Sequence, residues 1–288
     1  MSLNTEPMSE SRGLEKTEGF VEVFGSKIHY ESRGFGDPLL LIDGWLGSIH
    51  AFDRTISNLS KTHRCTAIDY PGYGVSSEFT VKRHTINNYA EAFFGVMDEL
   101  AIARTGIIGD SLGALVALKM AEMNPDRINF LVLQGVPTFP PRVKKIARSL
   151  DRNIVGKLAT DIFNSPVAEV IRWANPEFTG LSFNERDAAK ERLKKTSGHA
   201  AIESFKDMVE FDLTQAASKV SVPALIVEGE LAAKTPFAAG SILRKNIEEG
   251  LFTEKVVGKG THTVMLKQPE VFAQAVNEFT QRLEGAVG

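Results

Sequence analysis

Ser111 stands in Gly109-Asp110-Ser111-Leu112-Gly113, a glycine-x-serine-x-glycine pattern between the apolar run 105–108 and the helix-like run 112–123. A serine hydroxyl is a weak nucleophile until a base takes its proton, and nucleophilic acyl transfer also needs donors for a developing oxyanion. A strand-to-helix turn supplies part of this. Glycines on both sides let strand and helix approach at a strained corner, so the hydroxyl stands at a helix N-terminus beside free backbone N–H groups. A glycine-rich turn without chemistry can carry the same pattern, so its weight rests on the elements around it.

Those elements alternate. Residues 20–34 read as two short strands around Gly25-Ser26, and 38–42 is a continuous apolar run of the kind found in a strand covered on both faces. A helix over 48–59, a strand over 65–69, a turn at 70–74, a helix over 86–100, the strand 105–108, the helix 112–123 and a strand over 129–134 follow. This order predicts an α/β architecture, a mostly parallel central sheet with helices on both faces. Between Pro137 and Ser221 the strand signal stops, and helix-like segments over 142–163, 166–174, 184–195 and 200–211 predict an inserted helical cap at 138–218. The sheet resumes at 222–227, followed by a helix from Pro236, a short strand over 254–257 and a closing helix over 270–283. The expected core is therefore 19–137 and 219–288, with the polar stretch 1–18 as a loose, disordered tail.

A chain of 288 residues, 43% of them hydrophobic, can bury a large core. Its 33 basic and 36 acidic residues form no like-charge run of the kind that binds nucleic acid or a membrane surface. A small-molecule substrate is the expected partner, with no nucleic acid and no membrane; a homodimer is left open. Cys65, the single cysteine, lies in a strand pattern, which excludes an intrachain disulfide and suits a cytoplasmic location. No run approaches the ~18 apolar residues of a membrane span. No His, Cys, Asp and Glu cluster has metal-ligand spacing and no P-loop lysine occurs, so neither a metal nor a cofactor is expected.

Four motifs, in this order, resemble the α/β-hydrolase fold family, and the resemblance covers essentially everything from Gly19 onward. Besides the elbow at Ser111, Leu39-Leu-Leu-Ile-Asp-Gly-Trp-Leu-Gly47 is similar to the family's oxyanion strand and loop, and Asp69-Tyr-Pro-Gly-Tyr-Gly-Val-Ser76 to its next strand-turn. His262-x-x-x-x-Lys-Gln-Pro-Glu-x-Phe272 resembles the histidine loop before the last helix. The resemblance implies a hydrolase acting on a small ester, lactone, thioester or activated amide. Ser111 would be the nucleophile, His262 the base, and the backbone N–H groups of Trp45 and Leu112 the oxyanion hole. The remaining histidines, His29, His50, His63, His84 and His199, read as ordinary solvated or satisfied side chains.

Two departures accompany the match. Asp43 stands where the family usually has a histidine before the glycine, and a carboxylate there opposes the oxyanion unless it is protonated, turned away or paired. Asp43 and Asp110 are both expected beside the substrate pocket. The family's usual acid position, three residues after Gly229, holds Ala232, and the alternative position at the end of the strand before the cap shows Gln134-Gly-Val-Pro137 and no carboxylate. Glu230, ahead of Glu228, or Asp43 could supply the acid; otherwise Ala232 replaces an aspartate, or triad hydrolysis has been abandoned. A ligand-binding protein or a lyase-like proton-transfer enzyme in the same pocket are the alternative functions.

Overall fold

A computed structural model of the chain describes residues 16–149, 195–235 and 238–285. The chain opens with a hairpin, β1 (Thr17–Val23) and β2 (Ser26–Arg33), so regular structure begins two residues inside the expected tail. Val23 pairs with Ser26 across a two-residue turn in which Phe24 and Gly25 have φ of 51° and 71°. Two positive φ values in a two-residue loop match the twist of the flanking strands. From there the chain alternates: β3 (Asp37–Ile42), α1 (Asp53–Leu59), β4 (His63–Ile68), α2 (Ile86–Glu99), β5 (Thr105–Asp110), α3 (Leu112–Met123) and β6 (Ile128–Gln134). After α4 (Pro141–Ser149), α5 (Gly198–Glu210) and α6 (Leu213–Ser218), the series closes with β7 (Ala224–Gly229), α7 (Gly240–Asn246), β8 (Phe252–Val257), α8 (Val264–Lys267) and α9 (Pro269–Gly285).

The strands form one sheet in the order β1-β2-β4-β3-β5-β6-β7-β8. The first two run antiparallel to their neighbours, and β4 through β8 are parallel. Side chains alternate across a strand, so a strand covered on both faces must be apolar at every position. In β3, Leu40 and Ile42 join the cluster beneath α2 and α3, while Leu39 and Leu41 join the cluster that holds Phe272, Val276 and Phe279 of α9. That is why 38–42 lacks a polar face. The C-terminal ends of β3, β5, β6 and β7 meet along one edge, where open α/β sheets form their ligand crevice.

The pattern-derived elements recur with shifts of a few residues. The helix expected over 48–59 divides into a 3-10 turn at Ile49–Phe52 and α1. Within the expected cap, α4, α5 and α6 are helical, while 150–194, including the predicted helices over 166–174 and most of 184–195, lie outside the described residues. The helix expected from Pro236 begins at Gly240; Pro236 lies outside the described residues. Cys65 is buried and its thiol is pushed up to about 12 by burial, as for a core side chain. Among the described residues no helix is long and apolar enough to cross a membrane.

Candidate active site

Ser111 joins β5 to α3 with φ 51° and ψ −109°, a conformation that costs a non-glycine residue strain and is held only by its surroundings. Its amide donates to the Gln134 carbonyl at 2.9 Å. The flanking glycines make the corner sterically feasible: a Cβ at Gly109 would lie 2.4 Å from the Gly113 oxygen, and one at Gly113 would lie 2.0 Å from the Ile42 oxygen. The start of α3 thus rests directly on β3 and β5. The first amides of a helix have no intrahelical acceptor, and Leu112 is the first residue of α3.

Gly44 brings the loop after β3 onto this corner. A Cβ there would lie 3.2 Å from both Ser111 Cβ and Asp110 Oδ2, so the next backbone amide, that of Trp45, follows a residue packed closely on Ser111. The Trp45 side chain leaves the loop for α5, where its Nε1–H donates to the Ala201 carbonyl at 2.8 Å and its ring packs 5.0 Å from that of Phe205.

The two carboxylates of this region have separate environments. Asp43 Oδ2 accepts the Ser48 amide at 2.8 Å and presses against Gly47, where a Cβ would lie 1.8 Å away. Asp43 is therefore turned into its own loop and paired with backbone, while its carbonyl accepts the Tyr70 hydroxyl at 2.8 Å. Asp110 is buried and accepts Gln134 Nε2–H on Oδ1 at 2.5 Å. Burial, reinforced by the Asp43 charge, raises the Asp110 carboxyl well above the ordinary range.

His262 lies in the loop between β8 and α8, lashed to the end of β7 by Glu230 N–H to the Val257 carbonyl and Leu231 N–H to the Gly260 carbonyl, each 2.9 Å. Its ring lies against Gly135, where a Cβ would sit 2.8 Å from Cε1 and 2.9 Å from Nδ1. Loss of hydration pushes the imidazole down to about 4, so at neutral pH the ring is uncharged. Gln134 ties this loop to Ser111. Besides accepting the Ser111 amide, it donates Nε2–H to the His262 carbonyl at 3.3 Å and accepts the Met265 amide on Oε1 at 2.8 Å. Sequence reasoning weighed Gln134 only as an absent carboxylate; its position at the end of β6 was the available signal.

The acid side is emptier. Ala232 is buried at the start of a 3-10 turn, and with Gly135, Glu228, Thr235 and His262 it lines a cavity of about 10 Å³. That is room for roughly one water. Glu228 accepts the Gly240 amide at 3.2 Å, and burial raises its carboxyl. Glu230 lies at the surface, where it accepts Lys234 Nζ at 2.9 Å and the Lys259 amide at 3.3 Å, and the lysine lowers its carboxyl. The two glutamates weighed for the acid part at the end of β7: the strand ends at Gly229, Glu230 is paired with Lys234 at the surface, and Glu228 lies on the wall it shares with His262.

The parallel sheet, the strained serine corner at the end of its fifth strand and the histidine loop before the last helix define an α/β hydrolase fold. The family's model, described as alpha/beta hydrolase fold, matches residues 37–175. A pimeloyl-[acyl-carrier protein] methyl ester esterase of Neisseria meningitidis is 28% identical over 84% of this chain and 92% of its own length. Among solved structures, the epoxide hydrolase CorEH superposes with a TM-score of 0.77 at 17% identity, covering 93% of this chain and 100% of its own. The N-acyl homoserine lactonase AidH does so with a TM-score of 0.70 at 20% identity, covering 93% and 97%.

Proposed function

We propose that the chain is a serine hydrolase that cleaves a small ester or lactone, or a comparably activated thioester or amide, through an acyl-enzyme. The observation that carries this reading is Gln134, whose backbone holds the strained Ser111 and whose side chain holds the loop of a neutral His262. The names of the relatives, a methyl ester esterase and a lactonase, support ester cleavage.

In this mechanism Ser111 Oγ attacks the acyl carbon while its proton passes to His262 Nε2, the nitrogen left over when Nδ1 faces Gly135. The Leu112 and Trp45 amides receive the oxyanion, each donor worth roughly 3 kcal/mol. The tetrahedral species collapses, the C–O bond to the leaving group breaks, and the imidazolium protonates the departing oxygen. Water, deprotonated by His262, then releases the acid and regenerates Ser111. Asp110, whose carboxyl is raised by burial, opposes the oxyanion less than an ordinary carboxylate would, and Asp43 is paired with backbone within its own loop. Glu228 is the carboxylate best situated to support His262, across a gap where Ala232 leaves room for water. Ala232 favours a second reading, a ligand-binding protein that has lost turnover.

A serine-directed fluorophosphonate separates the two. Intact mass should show a single adduct that is absent in Ser111→Ala; no adduct at any pH from 5 to 9 refutes the hydrolase.

A further inference from the structure

We propose that Glu78, His84 and His199 form a binding site for a divalent transition-metal ion of the zinc class, clamping the segment before α2 to the start of α5. Sequence spacing gives no hint of such a site, because the ligands come from two segments more than a hundred residues apart. The fold brings their ligating atoms within 4.8 Å of one another.

His84 anchors the site. It is fully buried, at 0% exposure, and its Nε2 has no hydrogen-bond partner among the described residues. A buried, unsatisfied polar atom is costly and calls for an explanation. This one faces Glu78 Oε2 at 3.8 Å, and the His199 ring stands perpendicular to the His84 ring at 5.6 Å. His199 Nδ1 is 3.5 Å from the same Glu78 oxygen, and its Nε2 is 3.6 Å from Glu203 Oε1. Glu203 is itself engaged by Arg83 Nε at 3.1 Å and the His84 amide at 2.9 Å, which leaves Glu78 as the accessible carboxylate.

One ring nitrogen of His84, Nδ1, meets the Tyr89 hydroxyl at 3.1 Å. Nε2 is then the nitrogen turned to the cluster, and engagement of one imidazole nitrogen by an outer oxygen is the usual way a metal-binding histidine is oriented.

Two imidazoles and one carboxylate suit zinc, cobalt, nickel or copper rather than magnesium or calcium. With metal–nitrogen bonds of about 2.0–2.1 Å, tetrahedral ligands lie about 3.4 Å apart. Glu78 and His199, both exposed, need to close by only about 1 Å on a fixed His84, leaving a fourth position for water. The junction is already docked: the Ser197 amide donates to the Gly72 carbonyl at 2.8 Å. Because α5 also supplies the Ala201 carbonyl that holds the Trp45 indole, the ion would brace the helix on which the oxyanion loop leans.

The test uses the full chain stripped with a chelator and titrated with Zn²⁺ by calorimetry and with Co²⁺ by visible absorption. One equivalent should bind, with a four-coordinate Co²⁺ spectrum. His199→Ala and Glu78→Gln, both at exposed positions, should each weaken binding at least ~10-fold with unchanged circular dichroism, whereas His262→Ala and His50→Ala should bind as the parent does. Absence of a stoichiometric site overturns the proposal, as does binding that survives both His199→Ala and Glu78→Gln.

Discussion

The two sides of the candidate site are built from different materials. On the nucleophile side the geometry is made of backbone: Gly44, Gly109 and Gly113 permit contacts that any side chain would block, and the Leu112 and Trp45 amides are donors whatever their side chains. On the acid side the geometry would have to be made of a side chain, and at Ala232 it ends in a cavity of about 10 Å³. A backbone-built half tolerates drift in side-chain identity, whereas a side-chain-built half can be lost in one substitution without disturbing the fold around it.

Filling the cavity is the strongest test of that contrast. Ala232→Asp should raise kcat on an activated ester by about 10³ to 10⁴, since a carboxylate at Nδ1 fixes the imidazole and stabilises the imidazolium. The same change should move the acid limb of kcat/KM upward from the value of about 4 expected for His262, because a neighbouring anion favours the charged ring. A gain below about threefold, less than ~0.7 kcal/mol in barrier, would mean that the cavity is not where His262 takes its support.

Next in size is the serine itself. In subtilisin, loss of serine costs about 2 × 10⁶ and loss of the aspartate alone about 3 × 10⁴, so an enzyme already lacking the acid has only about 10² left to lose. Ser111→Ala should therefore cost about 10² in the parent and far more in the Ala232→Asp background; equal losses, read from steady-state kcat, would show that the two halves act independently.

Asp110→Asn probes the charge arrangement behind the elbow. A carboxyl raised by burial keeps its proton in the folded chain at pH values where the unfolded chain has released it, so stability is lost as pH rises from about 4 through the raised native value. The asparagine removes that loss. Its Tm should gain on the parent's with rising pH, and parallel Tm–pH curves would show that Asp110 is ionised in the fold.

The smallest effect belongs to Glu230→Gln, expected to change kcat by less than about threefold because Glu230 is held at the surface by Lys234 and Lys259. Glu228→Gln should exceed it. The reverse order would return Glu230 to the site.

What could be read in advance follows the same division. Alternating apolar runs and paired glycines encode backbone, so the sheet, the serine corner and the histidine loop were legible from residues 39–47, 109–113 and 262–272. Features that depend on how a side chain turns were not. Glu228 and Glu230 differ only by the point at which β7 stops; Gln134 acts through three bonds that no spacing announces; and His84, read as an ordinary histidine, is instead buried with one nitrogen unsatisfied.

The indole of Trp45 has an optical consequence. The chain contains two tryptophans, Trp45 and Trp173, so a Trp173→Phe variant emits from the loop after β3 alone. Since that indole donates to Ala201 and packs on Phe205, its emission maximum reads the docking of α5 directly. A ligand that pries the helix from the loop should shift the emission to the red, and one that seats it more firmly should shift it to the blue, giving an intrinsic signal of pocket opening that requires neither a dye nor turnover.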